Sequence, residues 1–258
     1  PLAMHKIVLA PCSPFSVTKR CMLLSSRLAR KYNVGLHTHL CETIDEEDTC
    51  KRMYGVRPLE LMEECELIGK GVFYAHGIHF NDKELDLLAS TNTSIAHCPS
   101  SNMRLGSGIC RVRDMLDRGI NVGIGVDGSA SNDSSDMLGE MRQALLLQRV
   151  KYGSTSLSAR DVFRMASENG AKMLNFGNLG KLEVGWGADL ALFDVSTLEY
   201  AGSQTDPVAS LLFCGTKHET KYTIVNGEFA VYDGKLVGWD EEELAYKGRE
   251  ASRKLLSK

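Results

Sequence analysis

Short apolar runs alternate with polar, helix-periodic stretches along roughly the first 150 residues, an alternation that predicts repeated βα units. The apolar runs place strands over 7–10, 35–40, 71–75, 93–96 and 121–126, and helices over 18–32, 56–68, 82–89, 111–118 and 136–151. In the last of these Met137, Met141, Ala144, Leu145 and Val150 make one apolar stripe, which reads as core packing. A further helical pair starts at Ser158, a predicted N-cap, with Asn169-Gly170 as its stop or turn. Strands then follow strands over 187–194, 222–228 and 229–237, with Asn226-Gly227 and Asp233-Gly234 as hairpin turns, so this part is expected to be antiparallel. The charged stretch 240–258 reads as a solvated helix. The expected division is therefore 1–180, 181–240 and 241–258.

Four of the strand ends deliver polar residues: His37-Thr38-His39 with Glu42 beyond, His76, His97, and Asp127 between glycine-flanked turns. A parallel barrel points the C-terminal ends of its strands at one pocket, so side chains far apart in sequence meet there. His37 and His39 are two apart and share one face of their strand. An imidazole and carboxylate set of this kind suits a cation that activates water. Each member alone has a blander reading: two ordinary histidines, a turn aspartate at Asp127, or a loop at 97–102 held by its own hydrogen bonds, with His97 behind the site or facing substrate. Cys98 beside His97 lacks an acid partner for a thiol nucleophile.

A closed barrel needs eight βα units, and only five precede the antiparallel part. The fold class is therefore α/β, the C-terminal part of a (β/α)8 barrel with strands 4–8 present and strands 1–3 missing, followed by a small β-sandwich segment. On that count the HxH pair lies on the fifth strand.

Composition narrows the function. At 258 residues, a formal charge of −3 and a pI near 6.2, the chain has no basic field for phosphate backbones or anionic lipid, so neither nucleic acid nor membrane is an expected partner. The apolar stretches are strand-sized, too short to span a bilayer. Eight cysteines without CxxC spacing are read as free thiols of a reducing cytoplasm. Neither HxE with PCxxC, nor HExxH, GxSxG or a Walker A loop occurs, which excludes the corresponding deaminase, protease, esterase and nucleotide-binding chemistries.

Several ordered motifs go further: Pro11 to Val17, His37 to Thr43, Ala75-His76-Gly77-Ile78-His79-Phe80, His97 to Asn102 continuing to Gly108, Gly125 to Asn132, and the return segment Leu179 to Leu190. Together they resemble the amidohydrolase superfamily, and within it the cytosine/guanine/hydroxyatrazine deaminase branch, with the longer motifs worded most like enzymes acting on 8-oxoguanine. The resemblance implies a hydrolase that deaminates an amino-substituted heterocycle, with 8-oxoguanine going to urate and ammonia. Guanine, isocytosine or hydroxyatrazine-type substrates are the alternatives. It implies one divalent ion, zinc or iron, held by His39 and Asp127, since Ala10-Pro11-Cys12 stands where binuclear relatives carry a lysine. Glu42 matches the proton donor to the ring nitrogen, His76 the histidine that polarises the attacking water, and Asp127 doubles as acceptor of the water's proton. Ser13, His97, Asn102 and Arg104 are candidates for substrate contact. The relatives' further HxH on strand one has no counterpart here, so the ion would have two ligands from this chain where zinc takes at least three. The resemblance also favours a homo-oligomer. The competing expectation is a noncatalytic half-barrel serving as a binding module.

Overall fold

The structure, a computed structural model, describes residues 4–257. Five strands form one parallel sheet in sequence order: β1 (Val8–Leu9), β2 (Gly35–Leu40), β3 (Val72–His76), β4 (Ser94–His97) and β5 (Val122–Ile124). Helices connect them as the alternation predicts. α1 (Lys19–Tyr32) follows β1, α2 (Ile44–Tyr54) and α3 (Pro58–Glu64) follow β2, α4 (Asp82–Thr91) follows β3, α5 (Pro99–Arg104) and α6 (Val112–Asp117) follow β4, and α7 (Met137–Tyr152) follows β5. Beyond them come α8 (Ala159–Arg164), a π-helical turn (Met165–Asn169) and α9 (Gly170–Met173).

Strand register divides the side chains between two faces. Leu36, Leu40, Val72, Tyr74, Ile95 and Val122 face the helices and join Met22, Leu59, Leu61, Met62, Leu85, Leu88, Met115 and Leu145 in the main core. Within it the Tyr74 hydroxyl donates to the Leu67 carbonyl at 2.5 Å, so the one polar atom of this wholly buried ring is satisfied. On the opposite face lie His37, His39, Phe73, Ala75 and Ala96, with Met173 of α9 packed on Phe73 and Ala96.

Three expectations are corrected. The helix expected over 56–68 is limited to α3, and α2 precedes it where none was expected. Only Glu46 and Cys50 of α2 are buried, so no apolar stripe marks it; its signals are the Thr43 N-cap, the acidic first turn and the basic last turn. At 97–102, where a loop held by its own hydrogen bonds is one of the expectations, the chain instead enters α5, opened by Pro99 in its first turn. Asn169-Gly170 does not stop the helix: Gly170 is α-helical at φ −61, and the extra residue is absorbed as the π-helical turn. The Asn169 amide there donates to the Val122 carbonyl at 2.9 Å and ties this turn to β5.

The second sheet is antiparallel and runs β6 (Leu190–Leu192), β7 (Tyr222–Val225), β8 (Glu228–Tyr232), β9 (Lys235–Leu236), with a 3-10 turn (Leu198–Tyr200) and α10 (Pro207–Phe213) between β6 and β7. Its hairpins turn at Asn226-Gly227 and Asp233-Gly234, all four residues having positive φ, the geometry for which those dipeptides are selected. α11 (Glu241–Leu256) buries no residue. No described helix is long and apolar enough to cross a membrane, and the eight cysteines are free.

Candidate active site

The site forms where β2, β3 and β5 end. Register pairs Leu40 with His76, and Leu40 faces the helices, so a regular strand would send His76 away from His39. The backbone does otherwise. His76 has φ 72 and Gly77 φ 62, and the left-handed turn brings the His76 ring to 5.5 Å from that of His39. A side chain at Gly77 would meet Phe80 at 3.1 Å and Ile95 at 3.3 Å, so glycine there serves both the turn and the close approach. Asp127 is also left-handed at φ 65, as is Cys41 at φ 52. Such conformations cost of order 1–3 kcal/mol each for residues with a Cβ and concentrate at functional sites.

These turns gather one donor atom each from His39, His76 and Asp127 within 4.8 Å of one another. Each donor is oriented from behind. The Nδ1 of His39 lies 2.7 Å from the Cys12 carbonyl, which only accepts, so Nδ1 carries the proton and Nε2 presents its lone pair. The same carbonyl accepts the His39 N–H at 3.0 Å and the Thr38 hydroxyl at 3.1 Å. The Nδ1 of His76 donates to Asn102 Oδ1 at 2.8 Å, again freeing Nε2. Asp127 Oδ2 accepts from Ser101 Oγ at 2.6 Å and Ser131 Oγ at 2.9 Å. Burial pushes the Asp127 carboxyl up, but these two hydroxyls and the Gly128 N–H outweigh it and hold the group below the usual carboxylate range. It is therefore ionised at neutral pH. Two imidazoles with free Nε2 and an ionised carboxylate, each braced by an outer hydrogen bond, fit a divalent zinc or iron ion.

The Glu42 carboxylate joins the group from the loop after β2. Its Oε2 lies 3.6 Å from His76 Nε2, and Asp127 Oδ2 lies 3.9 Å from the same nitrogen, both beyond direct hydrogen bonding. Glu42, His76, Asp127 and His39, expected together, are thus neighbours. His76 falls among the possible ligands as well as beside the proton-transfer groups.

The other expected residues lie further out. Ser13 is buried in a turn, its hydroxyl 2.6 Å from that of Ser16, one residue beyond the Cys12 carbonyl that orients His39. Asn102 is wholly buried and reaches the site through His76. Arg104, half-exposed, pairs with Asp133 and so ties α5 to the loop after Asp127. His37 stacks on Phe73 at 4.5 Å, on the face of His39 but outside the donor group. His97 shares the helix face with Ile95, is wholly buried, and has no hydrogen-bond partner for either ring nitrogen among the described residues.

Burial, with a smaller contribution from His76, lowers His97 from 6.5 to about 3. The unfolded chain takes up this proton near pH 6.5 and the folded chain only near 3, so the stabilisation is complete above pH 6.5 and shrinks as pH falls toward 3. His97 alone gives a slope of about 1.4 kcal/mol per pH unit in that window. In urea unfolding at stepped pH, His97→Leu is expected to flatten the acid side by that amount; parallel curves for the two proteins would show that His97 is not held neutral.

Some site residues carried no sequence signal strong enough to single them out. Ser101 and Ser131 are ordinary in composition, though Ser131 stands four residues after Asp127 within the same motif. Glu140, buried in α7, accepts from the Ser100 N–H at 3.1 Å and the Asn132 amide at 2.8 Å, fixing the start of α5. Glu46 accepts the N–H groups of Cys41 and Glu42.

Comparison with known proteins identifies the family. An 8-oxoguanine deaminase of Pseudomonas aeruginosa is 43% identical over 252 residues, 98% of this chain and 56% of that protein. A 5-methylthioadenosine/S-adenosylhomocysteine deaminase of Pyrococcus horikoshii is 37% identical over 243 residues, 94% of this chain and 57% of that one. The crystal structure of an adenosine deaminase from Xanthomonas campestris with bound zinc superposes with a TM-score of 0.93 at 29% identity, covering 96% of this chain and 57% of that chain. The chain spans just over half the length of the curated relatives it matches. With residues 3–230 matching the amidohydrolase family, and with this fold and this arrangement of strand ends, the chain belongs to that family.

Proposed function

We propose that this chain supplies the proton-transfer half of a metal-dependent deaminase that hydrolyses 8-oxoguanine to urate and ammonia. In this reading 1–180 are strands 4–8 of the barrel with their helices, 181–240 part of a small β-sandwich, and 241–258 a helical tail. Strands 1–3 and the remaining ligands come from polypeptide outside these residues. The observation that carries the proposal is the convergence of His39, His76 and Asp127 with Glu42 beside His76. The name of the Pseudomonas aeruginosa relative supports the choice of substrate. Free cysteines fit a reducing cytoplasm.

His39 and Asp127 would hold the ion, beside His76. Such an ion, when bound, brings the ionisation of water close to neutral pH. The chain's own groups move the protons. His76 Nε2, its lone pair turned toward the site by Asn102, accepts a hydrogen bond from the attacking water. Asp127, ionised and oriented by Ser101 and Ser131, takes the water's proton. Glu42 gives a proton to the ring nitrogen adjacent to the attacked carbon, so the ring accepts the electron pair as the C–O bond forms. The amino group then takes up the proton held by Asp127 and leaves as ammonia, and the remaining hydroxyl proton returns to Glu42 as the C–O bond becomes a carbonyl. Ser13 and Arg104 are the proposed contacts to ring substituents, while Asn102 and His97 act from behind the site.

Ammonia release by the metal-loaded enzyme, with its complete barrel, tests the reading on 8-oxoguanine, guanine, isocytosine and hydroxyatrazine. The highest kcat/KM is expected for 8-oxoguanine. Preference for another of the four reassigns the substrate, and ammonia from none of them overturns the deaminase proposal in favour of a noncatalytic binding module.

A further inference from the structure

The loop that carries Glu42 is held in an unusual way. α2 begins with Thr43 as N-cap, its hydroxyl accepting the Glu46 N–H at 3.4 Å, which makes Glu46 the third helical residue. An acidic residue in that position ordinarily closes a capping box by accepting the N-cap's own N–H. Among the described residues this chain does so three times elsewhere, with Glu60 accepting from Arg57, Glu84 from Asn81 and Asp161 from Ser158. In α2 the carboxylate reaches past the cap instead: Oε1 accepts the Cys41 N–H at 2.8 Å and Oε2 the Glu42 N–H at 3.0 Å.

We infer that Glu46 is a positioning residue for Glu42, clamping the Cys41–Glu42 backbone so that the Glu42 carboxylate stays beside His76. The inference rests on the proton-donor role proposed above. The clamp fixes Cys41 in its left-handed conformation at φ 52. From the other side, the Cys41 carbonyl accepts the N–H groups of Ile78 at 2.8 Å and His79 at 3.0 Å, and the Gly77 N–H donates to the Leu40 carbonyl at 3.1 Å. Cys41 is therefore pinned at its N–H by Glu46 and at its carbonyl by the turn that aims His76. Glu42, in the loop after β2, and His76, at the end of β3, are set against each other through this one residue. A carboxylate in this place is costly for the fold: Glu46 is only 2% exposed, and burial pushes it up to about 7 against the pull of the two N–H groups. Helix capping alone does not require that cost, since Thr43 already supplies the cap.

The test pairs the isosteric Glu46→Gln with Thr43→Ala, which weakens the same helix start and leaves the two clamped N–H groups untouched. In Glu46→Gln, amide hydrogen exchange at Cys41 and Glu42 is expected to accelerate at least about tenfold, because the amide nitrogen of Gln faces one of the two donors. On 8-oxoguanine, kcat of the complete metal-loaded enzyme is expected to fall about ten- to a hundredfold, with KM changed less than about threefold and metal content unchanged. Thr43→Ala is expected to lower the thermal midpoint while keeping kcat. Unchanged exchange in Glu46→Gln overturns the clamp, whatever the activity; faster exchange with unchanged kcat, or an equal loss of kcat in Thr43→Ala, overturns the positioning role. Exchange is read without substrate, so its failure is distinct from a failure of the deaminase reading.

Discussion

Glu42→Gln is expected to lower deamination by about 10²–10⁴-fold, the range for removing a general acid from a proton-transfer step, while the ion stays bound. The separation of the two effects follows from position. Glu42 lies outside the three-donor group and faces it through His76, at 3.6 Å from Nε2. Gln keeps the size of the side chain and loses the transferable proton, and the loop stays clamped because Glu46 binds backbone N–H groups rather than the Glu42 side chain. Ammonia release and metal content, measured on the same preparation, check it. A rate within about threefold of the parent would remove Glu42 from the chemistry, and loss of the ion would make it a ligand.

Asp127→Gly is expected to lose both the ion and turnover, with kcat/KM down at least a thousandfold, about 4 kcal/mol. Glycine is the informative replacement, because Asp127 sits at φ 65, where glycine pays no steric cost. The backbone keeps its turn and loses only the carboxylate. Ser101 and Ser131 lose their shared acceptor, so Ser101→Ala in the otherwise intact protein is a milder companion, weakening metal affinity about 10–100-fold. Asp127→Gly is expected to fold at least as stably as the parent, since the left-handed strain is relieved. Metal retained in Asp127→Gly would show that the carboxylate is not a ligand.

Most of the strand layout was legible because each apolar run is short and bounded, and a buried parallel strand needs only such a run. His39, Glu42, His76 and Asp127 stood out because polar residues at the ends of apolar strands have few other uses. What escaped the sequence was whatever depends on partners distant along the chain. α2 shows no apolar stripe, since it buries a carboxylate and a cysteine rather than leucines. The turn that brings His76 over to His39 depends on a left-handed backbone at a histidine, which the following glycine hints at without specifying. The sequence offers Asn102 as a substrate contact, but its acceptor oxygen goes to His76, 26 residues away, and only the fold reveals that pairing. Glu46 reads as an ordinary first-turn acid until its backbone partners are seen.

Anomalous scattering at the zinc edge, from crystals of the zinc-loaded protein, tests most directly whether these side chains share a cation. The expected result is one peak about 2.0–2.2 Å from both a His39 nitrogen and an Asp127 oxygen, with His76 Nε2 adjacent, and no peak at this position in Asp127→Gly. A peak bound elsewhere, or one that survives the loss of Asp127, would contradict it.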